Sequence, residues 1–152
     1  MESFFYPLDT IKNWNYLYKS KGLIQYHFIL PKKFSKKGLK QILKIISSSD
    51  HIPFLAVLKF HGKVNQNYLS FPIEGYSLSL DFKIKKGLFD FLNQLDKNVV
   101  KYKGRIYLTK DARVSKDIFQ KGYPKIDDFR RYRINNNMKM KFQSLQSNRL
   151  DI

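Results

Sequence analysis

Hydrophobic residues in this sequence recur at two spacings, the two-residue spacing of strands and the 3.6-residue spacing of helices. The order in which segments of the two kinds follow each other constrains the fold more than any other feature of the sequence. The segment GLIQYHFIL (22–30) alternates between two faces, which is typical of a half-buried strand. One face carries Ile24, Tyr26, Phe28 and Leu30, and the other carries Gln25, His27 and Ile29. The segment SKKGLKQILKIISSSD (35–50) then changes to helical spacing, with Ser35 as the predicted N-cap. A strand is therefore followed directly by an amphipathic helix.

The strand pattern returns twice before a second helix begins. FLAVLKF (54–60) and YSLSLDF (76–82) are predicted strands, and GLFDFLNQLDKNVVKYKG (87–104) is a predicted helix that ends at Gly104. A fourth strand is predicted at 105–109. The order β-α-β-β-α-β predicts an α+β domain of the ferredoxin-like type, in which two helices cover one face of an antiparallel sheet.

The character of the chain changes after Lys110. Short helices are predicted at 114–123 and 125–135, and a polar tail with three apolar anchors follows: Phe142, Leu145 and Leu150. Because this short helical C-terminal segment contains few apolar residues, it is expected to pack on another unit and not to build a core of its own.

The composition excludes several classes of protein. The chain has no cysteine, which excludes disulfides and Cys-ligated zinc, and its three histidines lack the spacing of metal ligands. No signal-peptide pattern opens the sequence and no apolar run approaches the roughly 20 residues of a membrane span, so a cytoplasmic location is expected. The net charge of +17 has two interpretations, a surface for nucleic acid or anionic membrane, or a coding bias that scatters lysines along the whole chain.

Polar side chains mark one face of the predicted sheet. Gln25 and His27 point away from the helices if Tyr26 and Phe28 point toward them, and Ser77 and Ser79 share a face of their own strand. Lys59 is a further candidate, because it is a charged residue in the otherwise apolar strand FLAVLKF. Each candidate has a simpler interpretation. The polar residues can mark an exposed sheet face, and Lys59 can be a lysine at the strand end whose charged group extends to solvent. There is no Gly-rich phosphate loop or nucleophile elbow, so these patterns alone indicate an α+β module with a polar sheet face and a basic surface.

Several longer stretches, taken together, resemble one enzyme family. FFYPLDTIKNWNYLYKSKGLIQYHFILP, FLAVLKFHG, LSFPIEGYSLSLDF and GRIYLTKDAR…YP are similar in order and spacing to the C-terminal part of FAD-linked oxidases of the decaprenylphosphoryl-β-D-ribose 2′-oxidase type, in the vanillyl-alcohol-oxidase superfamily. The resemblance implies that residues 1–104 are the C-terminal portion of a substrate domain. It further implies that residues 105–152 are the last strand and a segment that returns to the FAD domain, and that this chain lacks the N-terminal FAD-binding domain itself.

The resemblance also implies a set of site residues. Lys110 matches the family's lysine beside the flavin and the substrate pocket, which implies a catalytic and cofactor-binding role. The implied substrate-binding residues are Gln25 and Lys59, which match the family, His27 in place of a glutamine, Ser77 in place of an asparagine, and Ser79 where several members have cysteine. Asp111 and Arg113 are predicted to stabilise a turn as a pair.

The implied function is hydride transfer from a sugar hydroxyl carbon to FAD, with a sugar or lipid-linked sugar as substrate. A separate FAD-binding polypeptide is the implied partner, and the chain is not expected to turn over substrate alone. The alternative is a basic module for nucleic acid or anionic membrane, whose affinity falls steeply with salt. Nucleic acid is the less favoured partner because the aromatic residues fall mostly at core-facing positions.

Overall fold

The computed structural model describes residues 12, 13 and 15–152. Residues 4–11 (FFYPLDTI) and Trp14, which belong to the resemblance, lie outside these described residues. The sheet consists of strands β1 (Leu23–Pro31), β2 (Leu55–His61), β3 (Gly75–Lys83) and β4 (Arg105–Ile106). The helices are α1 (Asn15–Tyr18), α2 (Lys32–Ser47), α3 (Leu88–Lys101), α4 (Lys116–Gly122), α5 (Ile126–Asn135) and α6 (Leu145–Leu150), with 3₁₀ turns at Lys19–Lys21 and Leu108–Lys110.

The predicted α+β architecture is confirmed. The strand order is β2-β3-β1-β4, and every neighbouring pair is antiparallel. Strands β1 and β2 are therefore parallel to each other with β3 between them, which is the split arrangement expected of a ferredoxin-like β-α-β-β-α-β domain. Two amphipathic helices, α2 and α3, follow β1 and β3 in the chain and bury their apolar faces against the sheet.

The core lies between the sheet and these two helices. Tyr26, Phe28 and Leu30 of β1 are buried there, as the alternation predicted. The same cluster continues into the C-terminal segment through Val114, Phe119, Tyr123, Ile126 and Leu150. The segment thus packs on the sheet and helices that precede it, and the division of the chain at residue 104 into substrate-domain and returning parts stays a prediction.

Two of the three predicted tail anchors are wrong. Leu150 is fully buried, but Phe142 is 65% exposed and Leu145 is 91% exposed. Leu145 is the first residue of α6, which begins with a capping box between Ser144 and Ser147. Helix α6 thus presents Leu150 to the core from its last turn, while its first residue faces solvent.

Helix α2 begins earlier than predicted. Its N-cap is Pro31 and not Ser35, and Ser35 lies within the first turn. The Ser35 hydroxyl is buried and lies 2.9 Å from the carbonyl oxygens of Leu30 and Pro31, to which it donates. Such a bond to a preceding carbonyl satisfies a serine hydroxyl inside a helix, so serine does not have to mark the helix start.

The predicted strand 105–109 is also too long. After Ile106 the Tyr107 amide still donates to the His27 carbonyl at 2.8 Å, but the chain then turns through Leu108–Lys110. The Lys110 amide donates to the Tyr107 carbonyl within this turn. Lys110 therefore leaves the sheet plane where a strand residue would have stayed in it.

Gly104 follows helix α3, but the left-handed residue at this helix end is Lys103, with a φ of 59°. Glycine is required at 104 because a Cβ there would lie 2.4 Å from the Ile29 carbonyl oxygen and 2.5 Å from a Leu30 methyl group. We expect Gly104→Ala to lower the free energy of unfolding by about 1–3 kcal/mol in urea denaturation, because β1 and β4 would have to separate. The control is Gly62→Ala, where an added Cβ meets nothing within 4 Å. Equal stability of the two variants would contradict the close-approach argument.

None of the helices in the described ranges is long and apolar enough to cross a lipid bilayer.

Candidate functional site

A cavity of about 430 Å³ lies on the sheet face opposite the helices. Five of the six residues predicted for the site line it: Gln25, His27, Lys59, Ser79 and Lys110. Five further residues, which the sequence interpretation did not include, complete its wall: Val57, His61, Phe71, Pro72 and Tyr107. The sheet thus carries a hydrophobic core on one face and, on the other, a cavity in which basic and polar side chains share the wall with apolar ones.

Strand register explains why these residues meet. His27 of β1 lies opposite Ser79 of β3, and Ser79 lies opposite Val57 of β2. Side chains at matched positions of antiparallel strands point to the same face, and the residues two places along each strand do so as well. Gln25, Lys59 and His61 join the same face by this rule.

Ser77 is the predicted site residue that lies away from the cavity surface. It is fully buried, and its hydroxyl lies 2.8 Å from the Nε2 atom of His61. Ser77 thus holds the His61 ring from beneath, and its hydroxyl is occupied by that contact.

His27 occupies the floor of the cavity between two aromatic rings. Its imidazole packs edge-on against Phe71 at 4.9 Å and Tyr107 at 5.2 Å between ring centroids. Its Nε2 atom is buried and has no hydrogen-bond partner within the described part of the chain. Burial, together with the positive charges of Lys59, His61 and Lys110, lowers the pKa of His27 to about 4. The ring is therefore neutral near pH 7.

Gln25 is held in a fixed orientation by Asp81. The Gln25 amide nitrogen donates to the Asp81 carboxylate at 2.7 Å, and Asp81 itself is 9% exposed. Among the cavity-lining side chains that the structure describes, none is a carboxylate. The two lysines, Lys59 and Lys110, are therefore not neutralised by an acid in the cavity wall, and such cations favour anions and electron-rich oxygen atoms.

The turn that carries Lys110 is stabilised by Asp111, whose side chain is 2% exposed. The Asp111 carboxylate accepts from the backbone amides of Arg113 at 2.9 Å and Val114 at 2.7 Å, and from the Arg149 guanidinium at 2.7 Å. Burial alone would raise the pKa of Asp111, but the bonds from Arg149 and the two amides outweigh it and lower the pKa below its usual value.

Asp111 and Arg113 were predicted to stabilise the turn as a pair. They do so through the backbone amide of Arg113 and not through its side chain. Its guanidinium turns to helix α3, where it binds both oxygens of Asp96 at 2.7 and 2.8 Å and the Asn93 side chain at 2.6 Å. Asp96 also accepts from the Tyr26 hydroxyl at 2.9 Å. The turn is thus tied to the helix layer beneath the sheet as well as to the C-terminal segment.

The residues that sequence reasoning missed differ in how they could have been found. His61 continues the alternation of Val57 and Lys59, so the period-2 rule already placed it on the polar face. Phe71 comes from the loop between β2 and β3 and is 6% exposed over the cavity floor. Tyr107 follows a strand that proved shorter than predicted. No local pattern assigns either aromatic ring to the cavity.

Comparison with known proteins confirms the resemblance that the sequence motifs indicated. No protein-family model matches the chain. It is 41% identical over 133 residues to decaprenylphosphoryl-beta-D-ribose oxidase of Mycolicibacterium smegmatis, a match that covers 88% of this chain and 29% of that protein. It is also 38% identical over 78 residues to an uncharacterized protein in the mprA 5′ region of Streptomyces coelicolor, covering 51% of this chain and 21% of that protein. The chain thus spans less than a third of the length of these two curated relatives.

Proposed function

From this resemblance we propose that the chain forms the wall of the substrate pocket in an FAD-dependent oxidoreductase that oxidises a sugar hydroxyl. The proposed substrate is a polyprenyl-phosphate sugar, and the proposed partner is a separate polypeptide that binds FAD. The observation that carries the proposal is the convergence of Gln25, His27, Lys59, Ser79 and Lys110 on one cavity. These residues come from three strands and a turn, and the resemblance independently implies a shared site for them.

The residues present fit the cofactor side of such a site. Lys110 lies at the cavity and carries the positive charge of the turn Leu108–Lys110. A bound flavin supplies the acceptor for a hydride. Lys110 would bind the electron-rich edge of the flavin ring, because a fixed cation stabilises negative charge in a site that excludes water.

The other side chains suit a sugar. Gln25, fixed by Asp81, and Ser79 present an amide and a hydroxyl that can bind ring hydroxyl groups. Lys59, at the exposed end of the cavity on β2, adds a cation for a charged substituent. Phe71 and Tyr107 pack on each other at 4.6 Å and exclude water from the floor. This chain's own contribution is therefore binding, orientation and desolvation.

The proposal is tested by a chimera in which the matched segment of the Mycolicibacterium smegmatis oxidase is replaced by this chain. We expect the chimera to bind flavin and to oxidise decaprenylphosphoryl-β-D-ribose, and Lys110→Met to lower kcat by about 10²-fold through loss of charge stabilisation. Lys40→Met, on the exposed face of α2 across the sheet, is the matched control. A chimera that binds flavin and turns over equally well with Lys110→Met would contradict the role of Lys110.

The proposal that a separate polypeptide binds FAD has its own test. We expect the purified chain to show no visible flavin absorption, because the cavity offers side chains for the ring edge and no Gly-rich loop for the pyrophosphate. The measurement is the absorbance spectrum after incubation with FAD and gel filtration, with the chimera as the positive control. Stoichiometric flavin on the isolated chain would overturn the proposed partner.

A further inference from the structure

The loop between helices α5 and α6 exposes three large apolar side chains. Met140 is 81% exposed, Phe142 is 65% exposed and Leu145 is 91% exposed. All three lie within six consecutive residues, so they stand close together on the surface. Single exposed apolar residues are common in folded proteins, but a group of such strongly exposed side chains marks a candidate contact surface.

A buried arginine holds this loop in place. Arg133 of α5 is 6% exposed, and its guanidinium donates to the Met138 carbonyl at 3.3 Å and to the Phe142 carbonyl. The Phe142 amide also donates to the Met138 carbonyl at 3.1 Å, which closes a turn. The apolar side chains are therefore presented on a fixed backbone, and their burial against a partner would cost little ordering entropy.

The surface of the loop is basic. Residues 129–150 contain six arginines and lysines and no acid. The arginines among them bind acids or backbone carbonyls of this chain. Lys139 and Lys141 are exposed and form no ion pair with any of the described residues, and Asp151, whose charge acts on Lys139, is already bound by Lys116 at 2.9 Å. Two uncompensated cations thus alternate with the apolar side chains.

This alternation favours a lipid surface over a protein as the partner. The buried core of a protein–protein interface is depleted in charged residues, and lysine is among the residues that such interfaces contain least. Segments that lie on a bilayer instead combine lysine and arginine with Phe and Leu. Their apolar side chains enter the boundary between headgroups and acyl chains, and their cations stay among anionic headgroups.

We propose that the loop 138–145 binds the surface of an anionic lipid bilayer, with its three apolar side chains inserted and its two lysines in contact with lipid phosphates. Bilayer binding itself does not rest on the proposed function, but its use in catalysis does. Gln146 in the first turn of α6 donates to the Leu108 carbonyl at 2.8 Å, within the turn that carries Lys110. The loop thus adjoins the cavity, an arrangement that suits a substrate whose polyprenyl chain lies in the same bilayer.

Co-sedimentation of the isolated chain with vesicles measures the binding. The vesicles contain phosphatidylcholine alone or with about 30% phosphatidylglycerol, in about 0.15 M salt. We expect the chain to bind the anionic vesicles, and the combined variant Met140→Gln, Phe142→Gln and Leu145→Gln to lower the partition coefficient at least about tenfold at unchanged net charge. Lys139→Gln with Lys141→Gln should lower it about ten- to thirtyfold on anionic vesicles only.

Any protein with a net charge of +17 is attracted to an anionic surface, so the matched control removes three exposed apolar side chains elsewhere. The combined variant Leu43→Gln, Ile52→Gln and Phe89→Gln, at positions that are 47–61% exposed, should bind like the wild type. Urea midpoints establish that both triple variants fold. Equal losses in the two triple variants, no loss in either, or a wild-type chain that stays unbound would overturn the proposal.

Insertion can be observed directly because the chain has no cysteine of its own. Phe142→Cys, labelled with an environment-sensitive fluorophore, should shift its emission to the blue on anionic vesicles and be quenched by lipids brominated on the acyl chain. The labelled control Lys40→Cys, on the exposed face of α2, should do neither. If the label at position 142 keeps a solvent-like emission on vesicles that carry the chain, the attraction is by charge alone and the proposal is wrong.

The competing partner for the loop is the FAD-binding part, to which the resemblance directs residues 105–152. The same label in the lipid-free chimera tests this alternative. Emission that is already shifted to the blue there would assign the loop to a protein interface and contradict the lipid proposal, whereas solvent-like emission supports it. The vesicle measurements use the isolated chain without flavin, so their outcome is independent of the activity and flavin tests of the proposed function.

Discussion

Asp96→Asn is expected to lower the free energy of unfolding by about 3–5 kcal/mol, because it leaves the buried Arg113 guanidinium without its counter-ion. The side chains of Asp96 and Arg113 are 2% and 12% exposed, and Arg113 binds both carboxylate oxygens. The variant also replaces one of the two oxygens that accept from Arg113 and Tyr26 by an NH2 group, which can only donate. Urea denaturation of the purified chain at neutral pH measures the difference.

Two further variants define what this loss means. Asp90→Asn, on the same helix but exposed, should change stability by less than about 1 kcal/mol. Asp96→Leu combined with Arg113→Met should recover much of the loss, since a buried ion pair replaced by apolar groups of similar size is often tolerated. If Asp96→Asn alone lowers the free energy of unfolding by less than about 1 kcal/mol, the Arg113 guanidinium is solvated in the folded chain and the prediction is wrong.

Asp111→Asn is expected to destabilise the chain by about 3 kcal/mol at neutral pH, because a buried acceptor with three donors loses its charge. The loss should depend on pH in a defined direction. The folded-state pKa of Asp111 lies below its unfolded value of about 3.9, so its contribution is fully present above about pH 4 and is lost as pH falls through the folded pKa. The difference between wild type and variant should therefore shrink in acid.

The matched control for this prediction is Asp117→Asn in the first turn of α4, where the carboxylate is exposed. Its effect should stay below about 1 kcal/mol. Thermal or urea unfolding of all three proteins between about pH 3 and about pH 7 provides the comparison. A difference between wild type and Asp111→Asn that is constant over this range would contradict the ionised, paired state of Asp111.

Both carboxylates act on the same short turn. Asp96 reaches it through Arg113, and Asp111 through its own backbone bonds and Arg149. Gln146 of helix α6 adds a bond to the Leu108 carbonyl at 2.8 Å. The turn that presents Lys110 to the cavity is therefore braced from the helix layer and from the C-terminal segment, which explains how a residue outside any long element can hold a defined position.

The local hydrophobic periodicity of the sequence predicted most of the fold. Tyr26, Phe28 and Leu30 alternate with Gln25, His27 and Ile29 along β1, so the helix-facing side of the strand follows from its pleat. The same rule placed Gln25 and His27 on the opposite face, and the resemblance added Lys59, Ser79 and Lys110. The boundaries were less accurate, as Ser35 and the short β4 show, because caps and strand ends depend on bonds to distant carbonyls.

By itself the sequence determined the element order, the strand faces and most of the polar residues of the cavity, since these depend on neighbours within a few positions. Only the tertiary structure decided that Phe71 covers the floor, that Ser77 supports His61 and lies outside the cavity surface, and that Arg113 pairs with Asp96. Each of these contacts joins residues 16 or more positions apart. Such contacts form only when strand pairing and helix packing bring distant parts of the chain together. The entropic cost and the geometry of closing these loops depend on the whole fold, so a local sequence pattern cannot predict them.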